Sequence, residues 1–208
     1  MKLYAVSDGP PSLSVRMALE ALNISYELVN VDYGKAEHLT EDYAKYLCDK
    51  YAPDSELYPK EPKQRALVNH RLCFNLSFFY PQISAYVMAP IFFDYQRTDI
   101  GLKKLTLALE AFETYLKKSG STYVAGDSLT IADFPLVASV MCLEAIEFDV
   151  SGKYPTVFKW YSGFKTAYPK LWAIAAKGME EIAEFEKNPP DLTGMVHPIH
   201  PIRKVASK

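Results

Sequence analysis

The chain has 208 residues, 49% of them apolar, and a formal charge of −2, enough for one large or two small domains with a substantial core. Lys and Arg are dispersed and no run nears 18 apolar residues, so the composition argues against a nucleic-acid partner and a membrane span. Three cysteines (Cys48, Cys73, Cys142) without metal-ligand spacing, and an N-terminus without a signal-peptide pattern, point to a soluble protein of a reducing compartment.

Lys2–Val6 reads as a short strand ending in the turn Ser7-Asp8-Gly9-Pro10-Pro11. Ser12 then opens a helical pattern to about Asn23, with Leu13, Val15, Met17, Leu19 and Leu22 apolar, and Ser12 itself suits the cap position. Tyr26–Val31 reads as a second strand, which completes a βαβ unit. Ligands in open α/β folds bind beyond the carboxyl ends of strands, and a helix N-terminus there attracts an anionic group. Thr40 is placed to cap a helix through Tyr51, and Ala52–Pro62, with three prolines, reads as a linker.

Helices dominate the remainder. Residues 63–88 are apolar on most sides, and Pro81 is expected to kink that helix or remove a hydrogen bond within it. Leu102, Leu105, Leu109, Phe112 and Leu116 form a stripe at helical spacing. In Gly126-Asp-Ser-Leu-Thr-Ile-Ala-Asp133 the three-residue step from Thr130 to Asp133 suits a capping box, with each side chain bonding the other's backbone N–H, and the helix runs to about Glu147. Pro155–Ala167 and Pro169–Glu186 read as further helices, and a Pro-rich tail follows Asn188. His197 and His200 stand three apart but lack further ligands, so no metal site is expected.

Gly126–Asp133 resembles the buried capping motif of cytosolic glutathione transferases. Leu57-Tyr-Pro-Lys60, Arg65-Ala-Leu-Val-Asn-His-Arg-Leu72 and Tyr154-Pro-x-Val157-x-x-Trp160-Tyr161 agree with that family in the same order, in the manner of its insect delta and epsilon classes. The resemblance implies an α+β/α fold: a thioredoxin-like domain over residues 1–51, the linker 52–62, and an all-helical domain over 63–208. It also implies a cytoplasmic homodimer, with the helix at 63–88 near the two-fold axis. The expected reaction joins the thiolate of glutathione, as co-substrate, to a small hydrophobic electrophile in detoxification.

The family's usual thiol-activating serine falls at Gly9, and the alternative tyrosine position holds Ala5. Ser12 and Ser7 are therefore the catalytic candidates, although Ser12 also suits a cap and Ser7 a turn. Pro11 and His38, the latter within Gly34-Lys-Ala-Glu-His-Leu39, match positions near glutathione. The substrate helix is dense in aromatic residues from Phe78 to Tyr95, and the resemblance there and at the C-terminal end selects Tyr80, Ile91, Phe92 and Phe185 as the walls of an apolar pocket. Arg71 could help balance the glutathione carboxylates through the domain interface, or serve as a surface or interface ion-pair residue.

Between Lys45 and Tyr46 about 25 residues of the family pattern are absent, including its Ile-Pro stretch, two antiparallel strands and Glu-Ser turn. One explanation is a mobile glutathione-site segment omitted from the 208 residues, which the unaltered remainder favours. The other is a true deletion that prevents normal glutathione binding. The second explanation, with Gly9, supports an alternative function as a carrier of apolar ligands.

Overall fold

The computed structural model describes residues 2–30, 49–192 and 199–201. The expectations for His38, the Thr40 cap, the Lys45–Tyr46 junction, Cys48 and His197 lie outside them. Strands β1 (Lys2–Ala5) and β2 (Glu27–Asn30) pair in parallel, with Leu3 opposite Leu28. Helix α1 (Pro10–Ala21) connects them.

α1 begins two residues before the position expected from Ser12. Pro10 and Pro11 enter its first turn because the missing N–H groups have no intrahelical partner there anyway, and their fixed φ is already helical. Gly9 is the N-cap, extended at φ −72° and ψ 117°, and no side chain caps the helix, so Ser12 is not the cap.

The expected single helix over 63–88 is a longer, segmented run. It comprises α2 (Pro62–Phe74), a wide π turn (Asn75–Phe79), α3 (Tyr80–Ile83), a second π turn (Ser84–Met88) and α4 (Ala89–Phe92). Each π turn stands immediately before a segment that carries proline at its second position, Pro81 and Pro90. The Tyr80 and Ala89 N–H groups reach five residues back, to the carbonyls of Asn75 and Ser84. The extra residue in each turn makes room for a ring that would strike a carbonyl of a regular helix, so the prolines widen the helix rather than end it.

Four helices complete the core: α5 (Asp99–Ser119), α6 (Asp133–Ala145), α7 (Pro155–Ala167) and α8 (Pro169–Lys187). α6 is the central one. It is apolar nearly all round, as a helix surrounded by others must be, and packs on α1, α7 and α8. Phe79, Phe112, Phe134 and Phe164 are fully buried among these helices, each contributing about 1.5–3 kcal/mol relative to exposure. Leu105, Leu109, Phe112 and Leu116 occupy the expected stripe, whereas Leu102, at its start, is exposed.

Leu13, Met17 and Ala18 of α1 belong to the helical core, while Leu3, Ala5 and Leu19 form a small separate cluster under the sheet. α1 is thus packed as a member of the helical body. The linker is anchored as well: Ile131 N donates to the Leu57 carbonyl at 2.9 Å, and buried Tyr58 donates to Asn69 Oδ1.

The Thr130–Asp133 box forms with one half altered. Thr130 N donates to Asp133 Oδ2 at 2.9 Å as expected. The Thr130 hydroxyl instead donates to the same oxygen at 3.1 Å and accepts from Ala132 N. Asp133 is fully buried, and its Oδ1 also receives Val124 N at 3.1 Å and Trp160 Nε1 at 3.0 Å. The carboxylate therefore ties three segments together besides starting α6. Burial pushes its pKa up to about 6 against these four hydrogen bonds, which pull it down.

Candidate active site

Ser7 and Ser12 flank the turn between β1 and α1, and their hydroxyls are used differently. Ser12 Oγ accepts from Val6 N at 3.2 Å, and its own proton has no partner among the described residues. Ser7 Oγ donates to Glu181 Oε2 of α8 at 2.6 Å, a charge-assisted bond that consumes its one proton. Pro11, exposed in the first turn of α1, lies beside them.

The two prolines matter electrostatically. A helix start normally presents several free N–H donors to an anion, but Pro10 and Pro11 have none, and Leu13 N is bonded to the Gly9 carbonyl at 3.0 Å. The first turn of α1 therefore keeps the Ser12 N–H as its donor. Ser12 can offer an anionic sulfur both its amide and its hydroxyl.

α8 closes over this turn because Gly178 allows it. A Cβ at that position would stand 2.7 Å from Leu13 Cδ1 and 3.4 Å from both Asp8 Cα and the Ser7 carbonyl oxygen. Glu181 and Phe185 follow at three and seven residues, along the same side of the helix. Asp8 is buried in the turn, and burial raises its carboxyl pKa, with the negative charge of Glu181 adding to the rise. On α6 the buried Cys142 thiol is pushed up, by burial and then by Asp8, so it is an inert packing group.

Of the substrate-wall candidates, Phe92 and Phe185 meet edge to face with ring centroids 5.5 Å apart. Ile91 is buried beside them in the sequence, and Tyr80 is half-buried against the helical core. A cleft of about 320 Å³ lies at this end of α8, lined by Pro90, Ile91, Tyr95, Arg97, Glu186 and Pro189 among others. Its wall is more polar than the expected apolar pocket: Arg97 binds Glu186 through two nitrogens at 2.6 and 2.7 Å and donates from Nε to the Tyr86 carbonyl. It takes in Ile91 but neither Phe92, Phe185 nor Tyr80. Above it the tail returns, with His200 stacked on Phe93 at 4.2 Å and Pro201 O accepting from Asp94 N.

Arg71 does not serve the co-substrate from this position. It is buried, donates from Nε to the Val124 carbonyl at 2.9 Å, and lies over the Tyr115 ring at 4.5 Å. Among the described residues no cluster of His, Cys, Asp and Glu could hold a metal, and no helix is long and apolar enough to cross a membrane. Glu181 and Gly178 were not singled out from the sequence. The signal was available in the Gly178-x-x-Glu181-x-x-x-Phe185 spacing of a helix that faces the turn.

Residues 78–166 match the family model for the glutathione S-transferase C-terminal domain. Glutathione S-transferase D6 of Drosophila melanogaster is 28% identical over 194 residues, which cover 81% of this chain and 89% of that one. A diazinon-metabolizing glutathione S-transferase of the silkworm Bombyx mori superposes with a TM-score of 0.79 at 50% identity, covering 87% of this chain and 98% of that one. A delta-class glutathione transferase of Nilaparvata lugens gives 0.81 at 30% identity, covering 91% and 99%. With this site, this helical body and these relatives, the chain belongs to the glutathione S-transferase family.

Proposed function

We propose that this protein conjugates the thiolate of glutathione to small hydrophobic electrophiles at the β1–α1 turn. The observation that carries the reading is Ser12, whose hydroxyl proton, unpartnered among the described residues, and first-turn N–H stand at the carboxyl end of β1. A thiolate received there is held by two donors and by the positive end of α1. Phe92 and Phe185 supply apolar surface on the side of α8 that reaches the turn, and Ile91 and Tyr80 are assigned to the same electrophile. Little covalent work falls to the protein, which lowers the barrier by ionising the thiol and holding the two reactants together.

Pro11 packs against the glutathione backbone in this reading, and His38 is assigned to the same co-substrate. Residues 1–51 carry the glutathione site, 52–62 the linker and 63–208 the electrophile site. The protein works as a cytoplasmic homodimer, which is supported by exposed Leu76, Phe78 and Leu107 on the π turn after α2 and on α5. The alignment to the Drosophila relative carries a shortfall of the size expected after Lys45. The alignment is 194 positions long and takes in 81% of the 208 residues here, or about 168, so this chain has no residue at about 26 of its positions.

A conjugation assay with glutathione and a chloronitrobenzene tests the function. Saturable turnover in both substrates supports it. Absence of turnover, with an apolar fluorophore still bound, would establish the carrier function instead, which the occupied Ser7 hydroxyl also favours.

A further inference from the structure

We propose that Glu181 restrains ionisation of the bound thiol and so sets the pH at which the enzyme works, an inference that rests on the conjugation reading above. The geometry is the short bond from Ser7 Oγ to Glu181 Oε2, 2.6 Å long and spanning two elements held together at Gly178. A hydroxyl has one proton and two lone pairs. With the proton committed to a carboxylate, Ser7 faces a ligand as an acceptor, which suits S–H and not S⁻.

The charge works in the same direction. A carboxylate next to the sulfur site disfavours a second negative charge. Asp8 adds to the acidic character of the turn, and its own carboxyl responds to Glu181. Among the described residues no cation is paired with Glu181. Arg16 on α1, and Lys177 one turn earlier on α8, make no ion pair with it, α4 has no charged side chain, and Lys165 of α7 is held by Glu144 of α6. Cys142 of α6, near Asp8, remains a neutral thiol. Among the described residues the thiol therefore loses its proton against an uncompensated carboxylate, with Ser12 the donor to the thiolate. Glu181 is a positioning residue, since it acts through Ser7.

The test is the pH profile of kcat/KM for wild type, Glu181→Gln, Ser7→Ala and the double variant, with the thiolate absorbance of bound glutathione titrated in parallel. Glu181→Gln should lower the apparent thiol pKa by about half to one unit and raise kcat/KM at pH 6.5 about three- to tenfold, as expected for removing one charge at this range. In the Ser7→Ala background the same substitution should gain less than half as much, because no hydroxyl is released to donate. An unchanged pKa in a Glu181→Gln enzyme that still turns over would overturn the restraint alone. Loss of activity with loss of the acidic limb would also overturn it, and would make Glu181 a base. If none of the four proteins binds glutathione, both this inference and the conjugation reading fail.

Discussion

Trp160 of α7 donates its indole N–H to Asp133 Oδ1 at 3.0 Å, so the residue that opens α6 also holds α7 in place. Four donors converge on this one carboxylate. Asp133→Asn puts an amide N–H₂ against at least one of them and leaves a buried donor without an acceptor. Such a substitution should cost about 3 kcal/mol, measured as a lower urea midpoint at unchanged m-value.

The pH dependence of stability should show two opposing carboxyls. Asp133 has its pKa raised from 3.8 to about 6 in the fold, so the folded state holds that proton more tightly. Its contribution is fully present below 3.8 and is lost as pH rises through about 6. For Glu113, burial raises the pKa, but the amides of Val157 and Thr156 outweigh it and leave the carboxyl below its usual value. Its contribution is present above 4.5 and is lost as pH falls. Denaturation from pH 4 to 8 should therefore show the gap between wild type and Glu113→Gln closing on the acid side. The gap to Asp133→Asn should widen there.

Glu113 also caps α7 from outside, accepting from Thr156 N at 3.0 Å and Val157 N at 2.8 Å. Tyr154, the residue before that helix, makes no side-chain cap of its own. Glu113→Ala should cost about 1–2 kcal/mol at pH 7, in line with the loss of a cap, and Lys117, its surface partner at 3.1 Å, should matter far less. Thermal melts of Glu113→Ala and Lys117→Ala separate the two.

Gly178→Ala would normally strengthen a helix, by about 1 kcal/mol. Here the new Cβ stands 2.7 Å from Cδ1 of the fully buried Leu13, with the turn backbone at ordinary contact distance, so Leu13 must shift within the α1–α8 packing beside the turn. The expected result is a near-neutral change in melting temperature with about a tenfold loss of kcat/KM. A loss of stability without loss of activity would show that the turn does not report on catalysis.

Phe185→Ala opens the ring pair with Phe92. Removing that apolar surface should lower kcat/KM for a hydrophobic electrophile by about tenfold, the effect of 1–2 kcal/mol of lost contact. Glutathione affinity, measured by calorimetry, should change by less than about threefold.

The helices were legible where physics is local. Proline at the start of α7 and α8 set those elements to within a residue, and the apolar period of α5 marked that helix without its ends. The π turns were not legible, because they follow from fitting Pro81 and Pro90 inside a run that tertiary packing keeps helical. The start of α1 was misplaced for a related reason: Pro10 and Pro11 resemble a turn, yet they serve equally as a first helical turn. At the site, the sequence pointed to both serines but could not rank them. The ranking depends on Glu181, which is 174 residues from Ser7 in the chain and 2.6 Å from it in the fold. Arg71 misled because its charge suggested a ligand, while the fold spends it on a carbonyl and an aromatic ring.

The most direct test is kcat/KM for glutathione conjugation by Ser12→Ala at pH 7, with the glutathione Kd measured on the same protein. Loss of about one hundredfold or more in kcat/KM, with Kd within about threefold of wild type, is the expected result for removing the donor to the developing thiolate. Full turnover in Ser12→Ala, with Ser7→Ala inactive, would contradict the assignment and move the thiol to the Ser7–Glu181 pair.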